Sequence, residues 1–396
     1  MREHLAPRIA FFCFALPLAA CGPATAPEDP SKGIEQALQR FVNAAVSENE
    51  AIHGAALHVS SPTLGLSWEG AAGLADPAAG TPMTPRHPVR IASNTKTYVA
   101  AAVVRLWERG RLDLDDPIAA HLPEELVDAL RGDGYRPEEM TVRHLLTHTS
   151  GLFDHSDSER YEEAIVAEPQ HRWTRGEQVR GAVEWGDPLG EPGKVYSYAD
   201  TGYVLLGAIL ERVDGRPMHA AARELLGFER LGLHSTWWET LEPRPEGVPG
   251  RAHQFLGDLD VTGFDPSFDL YGGGGLAATV GDMAAFMRAL FTGGVYENPG
   301  TADIMLTAIE GVGARPEGDR AGLPPGAYRM GVWVVEVEGF TTYRHSGFWG
   351  TLATYVPELD LALAATVNQN RGKDGLERLV LQAIVSVAEA RVDSRS

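Results

Sequence analysis

Between Thr97 and Val104 the only polar side-chain groups are two hydroxyls, and after Arg105 the apolar Leu106 and Trp107 follow before Gly110. A stretch that is apolar on every face and closed by a glycine predicts a helix buried nearly all round. Residues 34–46 carry apolar side chains at helical spacing, and residues 55–59 and 64–68 read as two antiparallel strands joined by a turn at Ser61-Pro62. Pro82, Pro85 and Pro88 then punctuate a loop that leads into the central helix. From Arg111 to about residue 270 the pattern is one of helical fragments and loops, including an amphipathic stretch over 203–213. Gly272 to Gly275 reads as a flexible joint, and Thr279 caps a further helix through Leu290. The C-terminal part turns to strands at 330–337, 341–348, 352–356 and 361–367, followed by a closing helix over 376–392. Strands at both chain ends with helices between them predict an α+β fold, with one antiparallel sheet assembled from the two termini and flanked by helices. The corresponding division is a sheet domain from 31–110 and 271–392, with a mainly helical subdomain inserted over 111–270.

Composition narrows the class. At 396 residues with 44% hydrophobic and 22% charged side chains, the chain can bury a substantial core. A formal charge of −20 makes nucleic acid a poor partner. The first 20 residues read as a signal peptide: Arg2 and Arg8 flank a short basic region, and 9–20 is apolar apart from one proline. That apolar run is too short to span a bilayer permanently. Leu18-Ala19-Ala20-Cys21-Gly22 resembles the lipobox of bacterial lipoproteins, which implies lipidation at Cys21, a tether over 21–30 and a membrane partner through the lipid; ordinary cleavage and secretion is the alternative. Cys13 leaves with the signal, so the mature chain has no thiol pair for a disulfide or a Cys-ligated metal.

The chemistry centres on the one charged side chain at the head of the apolar helix. Lysine occurs only at 32, 96, 194 and 373, and the other 30 basic residues are arginine. A buried lysine must find a partner or give up its proton, and guanidinium cannot do the second. Ser93 lies three residues before Lys96, on the same helical face and near the helix start, where free N–H groups favour developing negative charge. The pair reads as a nucleophile beside its proton acceptor. The bland alternative is a capping serine and a snorkelling lysine. Two later motifs weigh against that alternative: Tyr198-Ala199-Asp200 at the mouth of an apolar helix, and His345-Ser346-Gly347 on a strand near the end.

This order of S-x-x-K, Tyr-x-Asp and His-Ser-Gly resembles the serine beta-lactamase and D-Ala-D-Ala carboxypeptidase superfamily, on the side of class C beta-lactamases and related esterases. Leu145-Leu146-Thr147-His148-Thr149-Ser150-Gly151-Leu152 and Gly110-Arg111-Leu112-Asp113-Leu114-Asp115-Asp116 add to the likeness, which covers nearly all of the mature chain. The resemblance implies a beta-lactamase/transpeptidase-like fold, a Ser93 acyl-enzyme, and Lys96 and Tyr198 as the proton-transfer pair. It implies an oxyanion hole made by the backbone N–H groups of Ser93 and Phe348. It places Asp200, His345, Ser346, Gly347 and Trp349 against a small-molecule or peptide substrate, with no cofactor and no metal. His345 stands where beta-lactamases usually carry Lys, Asp200 where Asn is common, and Ser346 where Thr is common. An ionised carboxylate accepts hydrogen bonds but donates none, which alters recognition of an amide carbonyl. Asp200 also reads as an N-cap of the helix that follows.

Other readings fare less well. His144, His148 and His155 have the spacing of a metal site, yet no matching acidic set accompanies them. The glycines at 272–275 lack a phosphate-binding context, and no G-x-S-x-G occurs. The expectation is therefore a cell-envelope serine hydrolase acting on a D-Ala peptide-like amide or a carboxylic ester. A beta-lactamase is the alternative within the enzyme class. A non-catalytic penicillin sensor is the alternative outside it, disfavoured because Ser93, Lys96 and Tyr198 are all intact.

Overall fold

The computed structural model describes residues 30–314 and 325–393, so the leader, Cys21 and nearly all of the tether lie outside the described residues. Helix α1 (Pro30–Ser47) leads into strands β1 (Gly54–Ser61), β2 (Leu66–Asp76) and β3 (Thr81–Pro82). The C-terminal strands are β4 (Trp333–Val337), β5 (Phe340–Gly347), β6 (Thr351–Val356) and β7 (Leu361–Thr366). They form one antiparallel sheet in the order β4-β5-β6-β7-β1-β2-β3, so the two ends of the chain meet where β7 pairs with β1. This is the α+β architecture expected from the sequence.

Alternation along the strands sorts the sheet's two faces. On one face Leu57, Val59, Leu361 and Leu363 pack with Leu38 and Val42 of α1 and with Leu379 and Ile384 of the closing helix α5. That closing helix spans Lys373–Asp393. On the other face Ala56, Ala362 and Ala364 are small, which lets α4 (Val280–Phe291) sit close through Met283, Phe286 and Met287. Beyond α4 lies α2 (Thr95–Glu108), whose residues from Thr95 to Leu106 are all buried. It packs against α3 (Asp200–Asp214), and one continuous apolar cluster joins sheet, α2, α3 and the helical segment. Among the described residues no helix is long and apolar enough to cross a membrane.

Two departures have a clear physical cause. Strand β2 runs on to Asp76 rather than stopping at Trp68, through Glu69-Gly70-Ala71-Ala72-Gly73, a stretch of low strand propensity. Close approach explains the glycines: a Cβ on Gly73 would stand 2.2 Å from the His53 carbonyl oxygen, and one on Gly54 2.3 Å from that of Leu74. The second departure is a sheet of very short strands, in which Leu276–Ala278 pairs with both Val89–Arg90 and Trp237–Trp238. These strands are too short to show a period in the sequence, yet they fix the chain just before Ser93.

Candidate active site

Ser93 does not lie within α2. It sits in a one-turn 3-10 segment, Ala92–Asn94, immediately before the helix begins at Thr95. Ala92 is held at φ +45°, a left-handed conformation that costs a residue with a Cβ about 1–2 kcal/mol. Polar contacts maintain the bend. Asn94 Nδ2 donates to the Ile91 carbonyl at 3.1 Å and to Thr351 Oγ1 at 2.9 Å, which binds the turn to the start of β6. Gln254 accepts from Arg90 N–H at 2.7 Å, donates to the Arg90 carbonyl at 3.0 Å and reaches the Trp349 carbonyl at 3.3 Å. Nothing in the local sequence marks Gln254 for this work.

Lys96 is fully buried; its ammonium donates to Ser93 Oγ at 2.9 Å and to the Gly273 carbonyl at 2.6 Å, and it forms an ion pair with Asp200 Oδ1 at 2.5 Å. The lysine thus has a partner, one of the two outcomes burial allows. Asp200 is the first residue of α3 and Ala199 its N-cap, so the carboxylate is a lysine partner rather than the cap. The glycines at 272–275 are a close-packed support, not merely a joint. A Cβ on Gly272 would lie 2.3 Å from the Tyr203 carbonyl oxygen, and one on Gly274 1.9 Å from Asp269 Oδ1.

Tyr198 lies with its ring centroid 5.0 Å from Lys96 Nζ. His148 positions this segment: its Nδ1 accepts from Ala199 N–H at 3.1 Å, its carbonyl accepts from Ser197 N–H at 2.9 Å, and its ring centroid is 4.2 Å from that of Tyr198. His148 itself holds φ +56°. His144 meanwhile bonds Thr141 N–H, and His155 bonds Thr201, so the three histidines are spent on separate local contacts.

The strand motif closes the site from the other side. Gly347 is paired with Thr351 at the end of the β5–β6 ladder, which leaves Phe348 just beyond it. A Cβ at Gly347 would come within 2.2 Å of the Ile91 carbonyl oxygen and 2.3 Å of Thr351 Oγ1. Glycine is needed here so that the strand end can approach the Ser93 turn. His345 is only 1% exposed and its Nδ1 lies 2.8 Å from the Ser346 carbonyl, which can only accept. The proton therefore sits on Nδ1, and Nε2 faces the Tyr328 hydroxyl at 3.4 Å. Burial, then the nearby Lys96 charge, push the imidazole down to about 3. At neutral pH the position usually held by a lysine is uncharged.

That burial has a consequence for stability. Between pH 6.5 and 3 the unfolded chain binds a proton at His345 that the folded chain refuses, so acidification favours unfolding. His345→Gln is expected to raise acid tolerance: its melting temperature relative to the wild type should climb as pH falls from 7 to 4. A gap independent of pH would contradict the buried neutral imidazole.

Ser93, Tyr198, Asp200, His345, Ser346, Gly347, Phe348 and Trp349 all line one cavity of about 430 Å³, with Lys96 behind it. Two deeply buried carboxyls of the lining escaped the sequence reading. Asp154 is 2% exposed and is pushed well up from the carboxylate range by burial and then by Asp200. Asp269, which accepts from Trp349 Nε1 at 3.2 Å, is pushed up to about 6, again by burial and then by Asp200. Neither has a sequence neighbour that signals it, because the loops carrying them converge only in the fold.

A serine in a bent turn, hydrogen-bonded to a buried lysine and flanked by a tyrosine and a strand edge, sits in a beta-lactamase/transpeptidase-like fold. The chain belongs to the Beta-lactamase family, whose model matches residues 36–386. It is similar to esterase EstB of Burkholderia gladioli, 33% identical over 257 residues that make up 63% of each chain. It is also similar to the D-alanyl-D-alanine-carboxypeptidase/endopeptidase AmpH of Escherichia coli (strain K12), 25% identical over 56% of this chain and 53% of that one. The chain spans about half to two thirds of the length of the curated relatives it matches. Among solved structures, D-amino acid amidase from Ochrobactrum anthropi SV3 in complex with L-phenylalanine amide superposes with a TM-score of 0.74 at 25% identity, covering 92% of this chain and 100% of that one.

Proposed function

We propose that the protein is a cell-envelope hydrolase that cleaves an amide or ester, of the D-amino-acid or carboxylic ester type, through an acyl-enzyme on Ser93. The observation that carries this reading is the 2.9 Å contact between Lys96 Nζ and Ser93 Oγ beneath a substrate-sized cavity. Ser93 Oγ attacks the carbonyl carbon and its proton passes through the Tyr198–Lys96 pair to the departing amine or alkoxide. The oxyanion is received by the backbone N–H groups of Ser93 and Phe348. Water then attacks the acyl-enzyme, gives its proton to the same pair, and Ser93 is regenerated as the acid leaves. The names of the relatives, an esterase, a carboxypeptidase/endopeptidase and an amidase, support this range of bonds. The lipobox-like leader supports the envelope location.

Beta-lactam turnover is the less favoured reading, for a specific reason. Among the described residues the cavity lining offers a substrate carboxylate the neutral His345, the buried His155 and Lys373 at the exposed start of α5, while Lys96 is held by Asp200. Intact mass spectrometry of the purified full chain tests the proposal. A fluorophosphonate is expected to add one label, on Ser93, whereas benzylpenicillin leaves no lasting adduct and is not consumed. Absence of the phosphonate label from Ser93 would remove the acyl-enzyme.

A further inference from the structure

His148 is 2% exposed and does not line the cavity, yet two costs to stability meet in it. Its backbone is held at φ +56°, where a residue with a Cβ is strained. Its ring also keeps a buried donor without an acceptor. Ala199 N–H can only donate, so Nδ1 accepts at 3.1 Å and the proton sits on Nε2, which has no hydrogen-bond partner among the described residues. Burial, then the Lys96 charge, hold the imidazole well below the usual histidine range, so this neutral form persists at pH 7. Costs of this kind cluster where function requires a particular geometry.

Three consecutive residues of the tyrosine motif meet His148. Ser197 N–H donates to its carbonyl at 2.9 Å, the Tyr198 ring centroid lies 4.2 Å from that of its imidazole, and Ala199 N–H donates to Nδ1. The Tyr198 ring is also the one 5.0 Å from Lys96 Nζ. His148 is fastened independently on both flanks: Thr147 Oγ1 donates to the Arg143 carbonyl at 2.8 Å, and Thr149 N–H to the His144 carbonyl at 2.9 Å. Tyr203 Oη donates to the Leu146 carbonyl at 2.9 Å and ties helix α3 to the same turn. Losing the imidazole therefore loosens the segment around Tyr198 and leaves these other bonds in place.

We infer that His148 is a positioning residue for the reaction: by holding the backbone on both sides of Tyr198, it keeps the phenol where proton transfer with Lys96 and Ser93 needs it. The inference rests on the Ser93 acyl-enzyme reading, in which Tyr198 handles the proton, and adds the residue that places it. His148 makes no hydrogen bond to Ser93, Lys96 or the Tyr198 hydroxyl, because Nδ1 is spent on Ala199 and Nε2 has no partner. It acts through Tyr198, whose hydroxyl must be held to a fraction of an ångström to work as acid and base.

The test is steady-state hydrolysis of p-nitrophenyl acetate by variants of the full chain, with circular dichroism as the control for folding. His148→Gly suits the left-handed backbone and removes Nδ1; kcat should fall by about thirtyfold or more while KM stays within about threefold. His148→Asn tolerates the same backbone, returns an acceptor to the Nδ1 position, and should recover about tenfold of that loss. In a Tyr198→Phe background His148→Gly should cost less than about threefold, because the hydroxyl it places is already gone. Equal factors in the two backgrounds, or an asparagine variant no better than the glycine one, mean a purely structural role and overturn the inference. Should His148→Gly not fold, His148→Gln, which fills the ring's space without an acceptor at Nδ1, takes its place under the same outcomes. If neither folds, the role is structural and the inference falls. Absence of a fluorophosphonate label on wild-type Ser93 strikes the acyl-enzyme reading, and near-normal kcat in Tyr198→Phe strikes the proton-transfer role of Tyr198 and that of His148 with it. A labelled Ser93 and an impaired Tyr198→Phe with equal factors strike His148 alone, and so the failures are distinct.

Discussion

Replacing Ser93 by alanine is expected to lower kcat by on the order of a hundred-thousandfold while substrate still binds. The loss is large because every later step depends on the one bond that Oγ makes. The change removes only that oxygen. Ala92 keeps its bend through Asn94 and Thr351, and Lys96 keeps the Gly273 carbonyl as an acceptor and Asp200 as its ion-pair partner. The melting temperature should therefore move little, and a competitive product or substrate analogue should bind about as it does to the wild type. Single-turnover kinetics with an activated ester provide the measurement. Turnover within tenfold of wild type would mean that the nucleophile lies elsewhere.

The second large effect concerns the proposed proton-transfer pair. Lys96→Ala and Tyr198→Phe are each expected to cost about a thousandfold or more in kcat, with a smaller change in KM. Lys96 supplies a hydrogen bond to Ser93 Oγ and a positive charge beside the Tyr198 ring, so both Oγ and the phenol depend on it. Tyr198→Phe keeps the ring in its place against His148 and removes the hydroxyl alone. Lys96→Arg should not restore activity, because a guanidinium is bulkier than the fully buried site allows and cannot set a donor on Ser93 Oγ from the ammonium's position. An arginine variant with near-normal kcat would reduce Lys96 to a structural cation. Circular dichroism of Lys96→Ala completes the experiment, since Asp200 loses its ion-pair partner in that variant.

Much of the architecture was legible because it rests on local periodicity. The central helix was readable from its apolar run over Thr97 to Val104, and the C-terminal strands from segments set off by Gly, Pro or acidic turns. The boundaries that shifted are those set by contacts across the chain. Strand β2 continues through small residues because its neighbour's backbone needs the room, and Ser93 falls before the helix because Ala92 is bent by bonds to β6.

The candidate site divides in the same way. Ser93 and Lys96 are three residues apart, and Tyr198 and Asp200, like His345, Ser346 and Gly347, belong to short motifs, so each fragment announces itself along the chain. Their relation to one another does not. That Asp200 rather than solvent meets Lys96, that Gly273 turns a carbonyl to it, and that His345 is neutral are outcomes of segments far apart in sequence packing together. Asp154, Asp269 and Gln254 carry no motif and gain their place only when loops converge.

The sequence alone thus determined the class of fold and singled out the candidate reacting groups, because helix and strand periods and short motifs are written in neighbouring residues. The tertiary structure decided the charge of the site and the spacing of its groups. Burial and Coulombic interaction depend on distances between residues that the chain order does not bring together.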